Sequence, residues 1–225
     1  MKILAIDTST KFLCLGLSDN TKVYEYKLEV SRLLSTVIIQ TIKRTLDSLG
    51  WKVSDIDYFA CGLGPGSFTG IRIGVATIKG LSWPLNKPVL SIATLDILAK
   101  NAQSPESYIM PAVDAKRSLI YTSVYKMQNK SLKRLTPYAL LDKERFLKII
   151  KEDSVILGDA VGLYKDDILK TKKKVTILDK DYWYPQVFHI LELAKEKIKN
   201  KEFSNSINIK PIYLYPKECQ IKVKS

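Results

Sequence analysis

Residues 2–30 read KILAIDTSTKFLCLGLSDNTKVYEYKLEV, and their rhythm decides the fold. KILAIDTS (2–9) has the pattern of a buried strand that ends in polar turn residues. LCLGLSD (13–19) and VYEYKLEV (23–30) follow at short spacing, the second alternating. The connections near Thr8–Lys11 and Asp19–Thr21 leave no room for a crossover helix, so an antiparallel meander is predicted.

Outward from that stretch the pattern changes. Leu34, Ile38, Ile42, Leu46 and Leu49 recur at helical spacing, and Gly50 supplies a stop. Asp57–Leu63 reads as a strand, and Ser67–Trp83 as a helix with Ser67 as its N-cap. Pro84 and Pro88 bound a short turn before a strand at Val89–Ser91, and a helix begins near Thr94. The order β-β-β-α-β-α-β-α is that of an RNase H-like unit. After the polar stretch NAQSPES (101–107), three more strands are read in YIMPAVDA (108–115), SLIYTSVYK (118–126) and KRLTPYALL (133–141). Helices at 142–152 and 162–170, strands at 155–159 and 175–178 and a last helix at His189–Asn200 follow. The expectation is a duplicated α/β architecture, with lobes at 1–103 and 104–225. The tail from Ile207 could pack back on either half.

The 225 residues, 46% apolar and 26% charged, suffice for a core without disulfides or metal. No run of about 18 apolar residues is present, which excludes a membrane-spanning helix. Asp7 interrupts the opening stretch too early for a secretory signal, so a cytoplasmic location is expected. Cys14, Cys61 and Cys219 are odd in number and far apart, and read as reduced, partly buried thiols. The only histidine, His189, has no second histidine to complete a His-x-x-x-His metal site and reads as structural. Net charge is +13, divided as +4 over residues 1–100 and +9 over 101–225, which favours a polyanionic partner.

One segment stands apart: GLGPGSFTGIRIGVATIKGLSW (62–83). Gly64, Pro65 and Gly66 make a constrained turn straight after a strand. Ser67 then caps a helix whose first N–H groups can meet an anion or a carbonyl. Gly70 and Gly74 lie on one helix face and cost the helix roughly 1 kcal/mol each relative to Ala. Close packing against another backbone would compensate. The helix is therefore either a tightly packed core element or an interaction face.

GPGSFTGIRIGVATIKGL (64–81), together with LAIDTST (4–10), resembles the bacterial TsaB (YeaZ) family of tRNA threonylcarbamoyladenosine biosynthesis. PAVDAKRSLIYTSVY (111–125), LGDA (157–160) and PIYLYPKECQIK (211–222) extend the resemblance along the chain. It implies an actin-like, sugar-kinase-like ATPase fold of two RNase H-like lobes. It also implies descent shared with a metal-binding catalytic subunit, TsaD. Pairing with that subunit, or with a second copy, would use a bundle of the first two helices, here about 31–49 and 67–83. Leu34, Val37, Ile38 and Ile42 would then be apolar anchors, with Ser67, Gly70, Gly74, Ile78 and Leu81 opposite. With TsaD and the small ATPase TsaE, such a chain supports transfer of a threonylcarbamoyl group to the adenosine beside the tRNA anticodon. Many members carry a His-Ser pair entering the first helix; here Ser31-Arg32 stands.

Phosphate-binding turns of this fold normally read Asp-x-Gly-Thr. The first here reads Asp7-Thr8-Ser9-Thr10 and the second Asp114-Ala115-Lys116-Arg117, both without Gly. Asp7 and Asp114 could face one cleft and hold Mg²⁺, or be inherited turn formers. No G-x-x-x-x-G-K-[ST] or G-x-S-x-G motif occurs. The expectation is an accessory subunit with no catalytic residue, metal site or cofactor of its own, ATP and Mg²⁺ entering with the complex. Two alternatives remain: an independent ATPase or kinase, and a tRNA-binding module using Tyr182, Trp183 and Tyr184 near Lys180.

Overall fold

The computed structural model describes residues 1–30, 33–102, 104–129 and 131–216. Ser31-Arg32, the boundary residue Gln103, Cys219 and the rest of 217–225 lie outside the described residues. β1 (Ile3–Asp7), β2 (Phe12–Ser18) and β3 (Val23–Glu29) form the expected meander. α1 (Leu34–Ser48), β4 (Tyr58–Gly62), α2 (Phe68–Ser82), β5 (Val89–Ile92) and α3 (Thr94–Ala99) follow. The sheet order is β3-β2-β1-β4-β5, antiparallel on the meander side and parallel for β1, β4 and β5.

The same plan recurs. β6 (Tyr108–Lys116), β7 (Leu119–Thr122), β8 (Tyr125–Gln128), β9 (Ser131–Arg134) and β10 (Ala139–Asp142) precede α4 (Lys143–Ile149). β11 (Ser154–Leu157), α5 (Val161–Leu169), β12 (Val175–Ile177) and α6 (Val187–Lys199) complete the chain's main elements. The order β10-β7-β6-β11-β12 repeats the first sheet, again with β6, β11 and β12 parallel. The chain is thus an α/β protein of two RNase H-like lobes. β8 and β9 are an inserted hairpin that splits the two strands read at 118–126 and 133–141. Thr136 secures the split: its Oγ1 accepts from Val124 N (3.0 Å) and its carbonyl from Ser123 Oγ (2.7 Å). Pro137 beside it has no N–H for a continuous ladder.

Strand alternation distributes the core. Leu4, Ile6, Leu13, Leu15 and Leu17 face α1 and α2. Ile3, Ala5 and Cys14 face α6, through Val187, Ile190, Leu191 and Ala194. Residues 187–199, read in the sequence as part of the second lobe, therefore cover the first sheet. Gly16 permits this, because a Cβ there would stand 2.7 Å from Val187 Cγ1. The tail segment spans both lobes. Ile209 is buried in the first core, and Ile212 N donates to Leu63 O (2.8 Å). Leu214 and Tyr215 pack into the second core. Cys14 and Cys61 are buried free thiols whose pKa burial pushes well up. His189 sits on α6 with Nδ1 3.1 Å from Glu192 Oε2, a local contact within the helix. No helix among the described residues is long and apolar enough to cross a membrane.

Candidate functional site

Parallel strands of an α/β sheet direct their carboxyl ends to a shared crevice. Here β1 ends at Asp7, β4 at Gly62 and β6 at Lys116, and β11 is followed by Gly158 and Asp159. Residues after these strands line a cleft of about 940 Å³ between the lobes. Ser9, Thr10, Lys11, Gly66 and Ser67 come from the first lobe, and Asp114, Lys116, Arg117 and Asp159 from the second. Tyr184, Tyr213 and Tyr215 close its edges.

Of the residues read as nucleotide contacts, Ser9, Thr10 and Asp114 line this cleft, while Asp7 and Thr8 lie beneath it. Asp7 is fully buried. Its Oδ1 accepts from Ser9 N (2.9 Å) and Ser9 Oγ (2.7 Å), and its Oδ2 from Thr94 Oγ1 (2.8 Å). Burial pushes its pKa up, and the Ser9 and Thr94 hydrogen bonds oppose that rise. Gly62 makes room for it, since a Cβ there would meet Asp7 Oδ2 at 2.0 Å. Asp7 is a hydrogen-bonded clasp joining the turn to α3. Thr94 is the partner the sequence reading missed; its only signal was a polar residue heading a helix after a buried strand.

Gly66, ahead of α2, and Gly70 and Gly74 within it serve the same turn. A Cβ at Gly66 would meet Ser9 O at 2.3 Å, one at Gly70 would meet Thr8 O at 2.0 Å, and one at Gly74 would meet Thr8 Oγ1 at 2.2 Å. Ser67 N donates to Ser9 O (2.7 Å), Ser67 Oγ accepts from Gly70 N (3.2 Å), and Thr8 Oγ1 donates to Gly70 O (2.8 Å). The carbonyl awaited by the helix N-terminus is the chain's own. Gly64, at φ +85°, turns the chain into this contact. Gly70 and Gly74, read as partner-binding, are thus internal packing positions. So are Leu34, Ile38, Ile42 and Ile78, each at most 5% exposed in the first core. Val37 and Leu81 are half-buried and Ser67 is exposed. The periodicity that identifies an amphipathic helix identifies its buried stripe, so anchors chosen from it point inward.

Part of the outward surface of α2 is apolar, while that of α1 is mostly polar around Ile39. α2 presents Ile73, Ala76 and Gly80 at helical spacing, and Trp83 at its end is 65% exposed. A Cβ at Gly80 would meet nothing within 4 Å. On the α1 side, Leu33 and Ile39 are 62% and 50% exposed.

The second-lobe turn is built differently. Lys116, Arg117 and Ser118 all have positive φ (65°, 52° and 57°). Asp114 Oδ1 accepts from Lys116 N (2.8 Å), and its Oδ2 pairs with Lys116 Nζ (2.5 Å). Asp159 Oδ1 accepts from Asp114 N (2.8 Å), and burial pushes the Asp159 pKa up. Tyr215 OH donates to Ala115 O (2.8 Å), and Arg72 Nε donates to Tyr213 OH (3.1 Å), so the tail segment forms one wall of the cleft. Asp159 was legible as an acid directly after a buried strand, within the LGDA segment (157–160).

The family model described as "TsaD: tRNA N6-adenosine threonylcarbamoyltransferase" matches residues 28–212. The Bacillus subtilis protein named tRNA threonylcarbamoyladenosine biosynthesis protein TsaB is 30% identical, over 99% of this chain and 97% of its own. The chain belongs to the TsaB family. The Haemophilus influenzae TsaB is 26% identical over 95% of this chain and 93% of its own. The solved YeaZ structure from Pseudomonas aeruginosa superposes with a TM-score of 0.84 at 27% identity, over 95% of this chain and 99% of that one. A Bacteroides thetaiotaomicron protein described as having an actin-like ATPase fold superposes at 0.50 with 12% identity, over 84% of this chain and 95% of that one. That likeness shows the fold alone. The Bacillus subtilis and Haemophilus influenzae relatives match over nearly their full length, so the clasp and the cleft lie within the region shared with them.

Proposed function

We propose that this chain, which serves tRNA threonylcarbamoyladenosine biosynthesis as its family does, is a subunit without catalytic residues of its own. It docks with a TsaD-type catalytic subunit and supports transfer of the threonylcarbamoyl group to the adenosine beside the anticodon. The observation that carries this is Asp7. The carboxylate that an ATPase of this fold would turn toward a metal and nucleotide is fully buried and bonded to Ser9 and Thr94. Neither phosphate-binding turn has the glycine that would let its backbone approach a phosphate. No resident cofactor is required in this reading. ATP and Mg²⁺ enter with a TsaE-type ATPase, and tRNA is held by the assembled complex in the cytoplasm.

The docking surface is the outward face of α1 and α2, not their buried stripe. Ile39, Ile73, Ala76, Gly80 and Trp83 give it apolar area and a flat path for a partner helix. In isolation the same face pairs two copies of the chain. The double variant Ile39→Glu/Ala76→Glu tests this, because both side chains are exposed. It is expected to melt within about 3 °C of the wild type, since surface changes cost about 0.5 kcal/mol or less. It should lose copurification with the catalytic subunit. Undiminished copurification would contradict the assignment.

A further inference from the structure

A second cavity, about 580 Å³, opens beside the cleft and shares Lys11 and Tyr184 with it. It is built from cations and rings: Lys11, Lys27 and Lys180 surround Phe12, Trp183 and Tyr184. Phe12 and Tyr184 meet edge to face with centroids 4.9 Å apart. The Lys11 and Lys27 ammonium groups lie 5.1 and 4.8 Å from the Phe12 centroid, and that of Lys180 lies 6.0 Å from Trp183. The rings are half-buried and held in place from behind. Asn101 Nδ2 donates to the carbonyls of Tyr182 (2.8 Å) and Tyr184 (3.0 Å), and Trp183 Nε1 donates to Leu178 O (2.8 Å).

Among the described residues, two of the three lysines on this face carry no carboxylate partner, whereas several lysines elsewhere do. Lys43, Lys100, Lys174 and Lys197 pair with carboxylates. Lys11 pairs with Glu29. Lys27 and Lys180 enter no ion pair among the described residues. Asp181 is the one acid in the cavity wall among the described residues. Uncompensated ammonium groups beside fixed aromatic rings suit a phosphate chain with unstacked bases: lysines take the phosphates, and rings receive the bases. An RNA duplex hides its bases and would use the cations alone.

We propose that this face binds a single-stranded RNA segment, the loop of the tRNA that the complex modifies. Lys27 and Lys180 engage phosphates, and Tyr184 and Phe12 supply stacking surface. The proposal rests on the reading of the chain as a subunit of a tRNA-modifying complex.

The test uses the assembled complex of this chain with the catalytic subunit. Lys27→Glu/Lys180→Glu should leave assembly intact and weaken tRNA binding about tenfold or more. The slope of log affinity against log salt should fall by about 2, one for each phosphate that the variant no longer neutralises. Tyr184→Leu should weaken binding of an anticodon stem-loop about tenfold and leave binding of the same stem without its loop unchanged. Three results would overturn the proposal. They are unchanged tRNA affinity and salt slope in the double variant, equal competition by the loopless stem, and failure of the double variant to join the catalytic subunit, which would make this a protein interface. If the wild-type chain itself does not join the catalytic subunit, the subunit reading fails instead. The same comparison on the chain alone then decides the RNA proposal.

Discussion

The two lobes carry equivalent turns between their first two strands, and the turns have diverged. In the first lobe, Asp7 is wholly buried and spends both carboxylate oxygens on Ser9 and Thr94, under the N-terminus of α2. In the second, the Asp114 side chain keeps 15% exposure, and its partner Lys116 is 81% exposed at the cleft. The first turn is relaxed and covered. The second is open, cationic and held in three successive left-handed residues. One ancestral plan has yielded a structural clasp in one lobe and an accessible polar surface in the other.

The largest expected effect lies at the clasp. Gly70→Ala places a Cβ 2.0 Å from Thr8 O, a backbone atom that cannot swing away. It should destabilise by about 3 kcal/mol, or roughly 6–12 °C in thermal melting. Gly80→Ala, on the open face of the same helix, should stabilise by about 1 kcal/mol. Equal effects at the two sites would break the account of α2.

Asp7 is next. Asp7→Ala orphans the buried Ser9 N–H and should cost about 2 kcal/mol. Asp7→Asn keeps an acceptor for Ser9 and should stay within about 1 kcal/mol of the wild type while retaining transfer activity in the complex. Complete loss of activity in a well-folded Asp7→Asn protein would return Asp7 to a catalytic role. The raised pKa sharpens this. The folded protein binds the Asp7 proton more tightly than the unfolded chain does. The wild type should therefore gain stability over Asp7→Asn as pH falls through the raised folded pKa toward 3.8, its ordinary value. Denaturation curves at several pH values measure that difference.

The smallest effect belongs to the second turn. Ser118→Gly removes the strain of φ 57° and should stabilise by about 1 kcal/mol. A destabilised variant would mean that the side chain, not the strained backbone, is what the turn retains.

The strand order, the three helices between residues 34 and 99 and the duplication were legible because alternation and helical periodicity are local signals. α6 was assigned to the wrong lobe because an amphipathic stripe shows that a helix packs but not on which sheet. The inserted hairpin was missed because a break at Ser123–Val124 carries no glycine and its tie to Thr136 spans 12 residues. The glycine-rich helix was recognised, but its direction was not. Gly70 and Gly80 look alike in sequence, and only the position of Thr8 O distinguishes them. Tyr213, Tyr215 and Asp159 reach the cleft through contacts distant in sequence, so spacing alone could not assemble them.

Reconstituted threonylcarbamoyl transfer to tRNA is the most direct test of the central claim. The catalytic subunit and the ATPase are combined with or without this chain, and the chain is assayed alone. The account predicts no transfer by the chain alone and at least a tenfold loss when it is omitted. Transfer by the chain alone, or a full rate from the other two subunits without it, would contradict that claim.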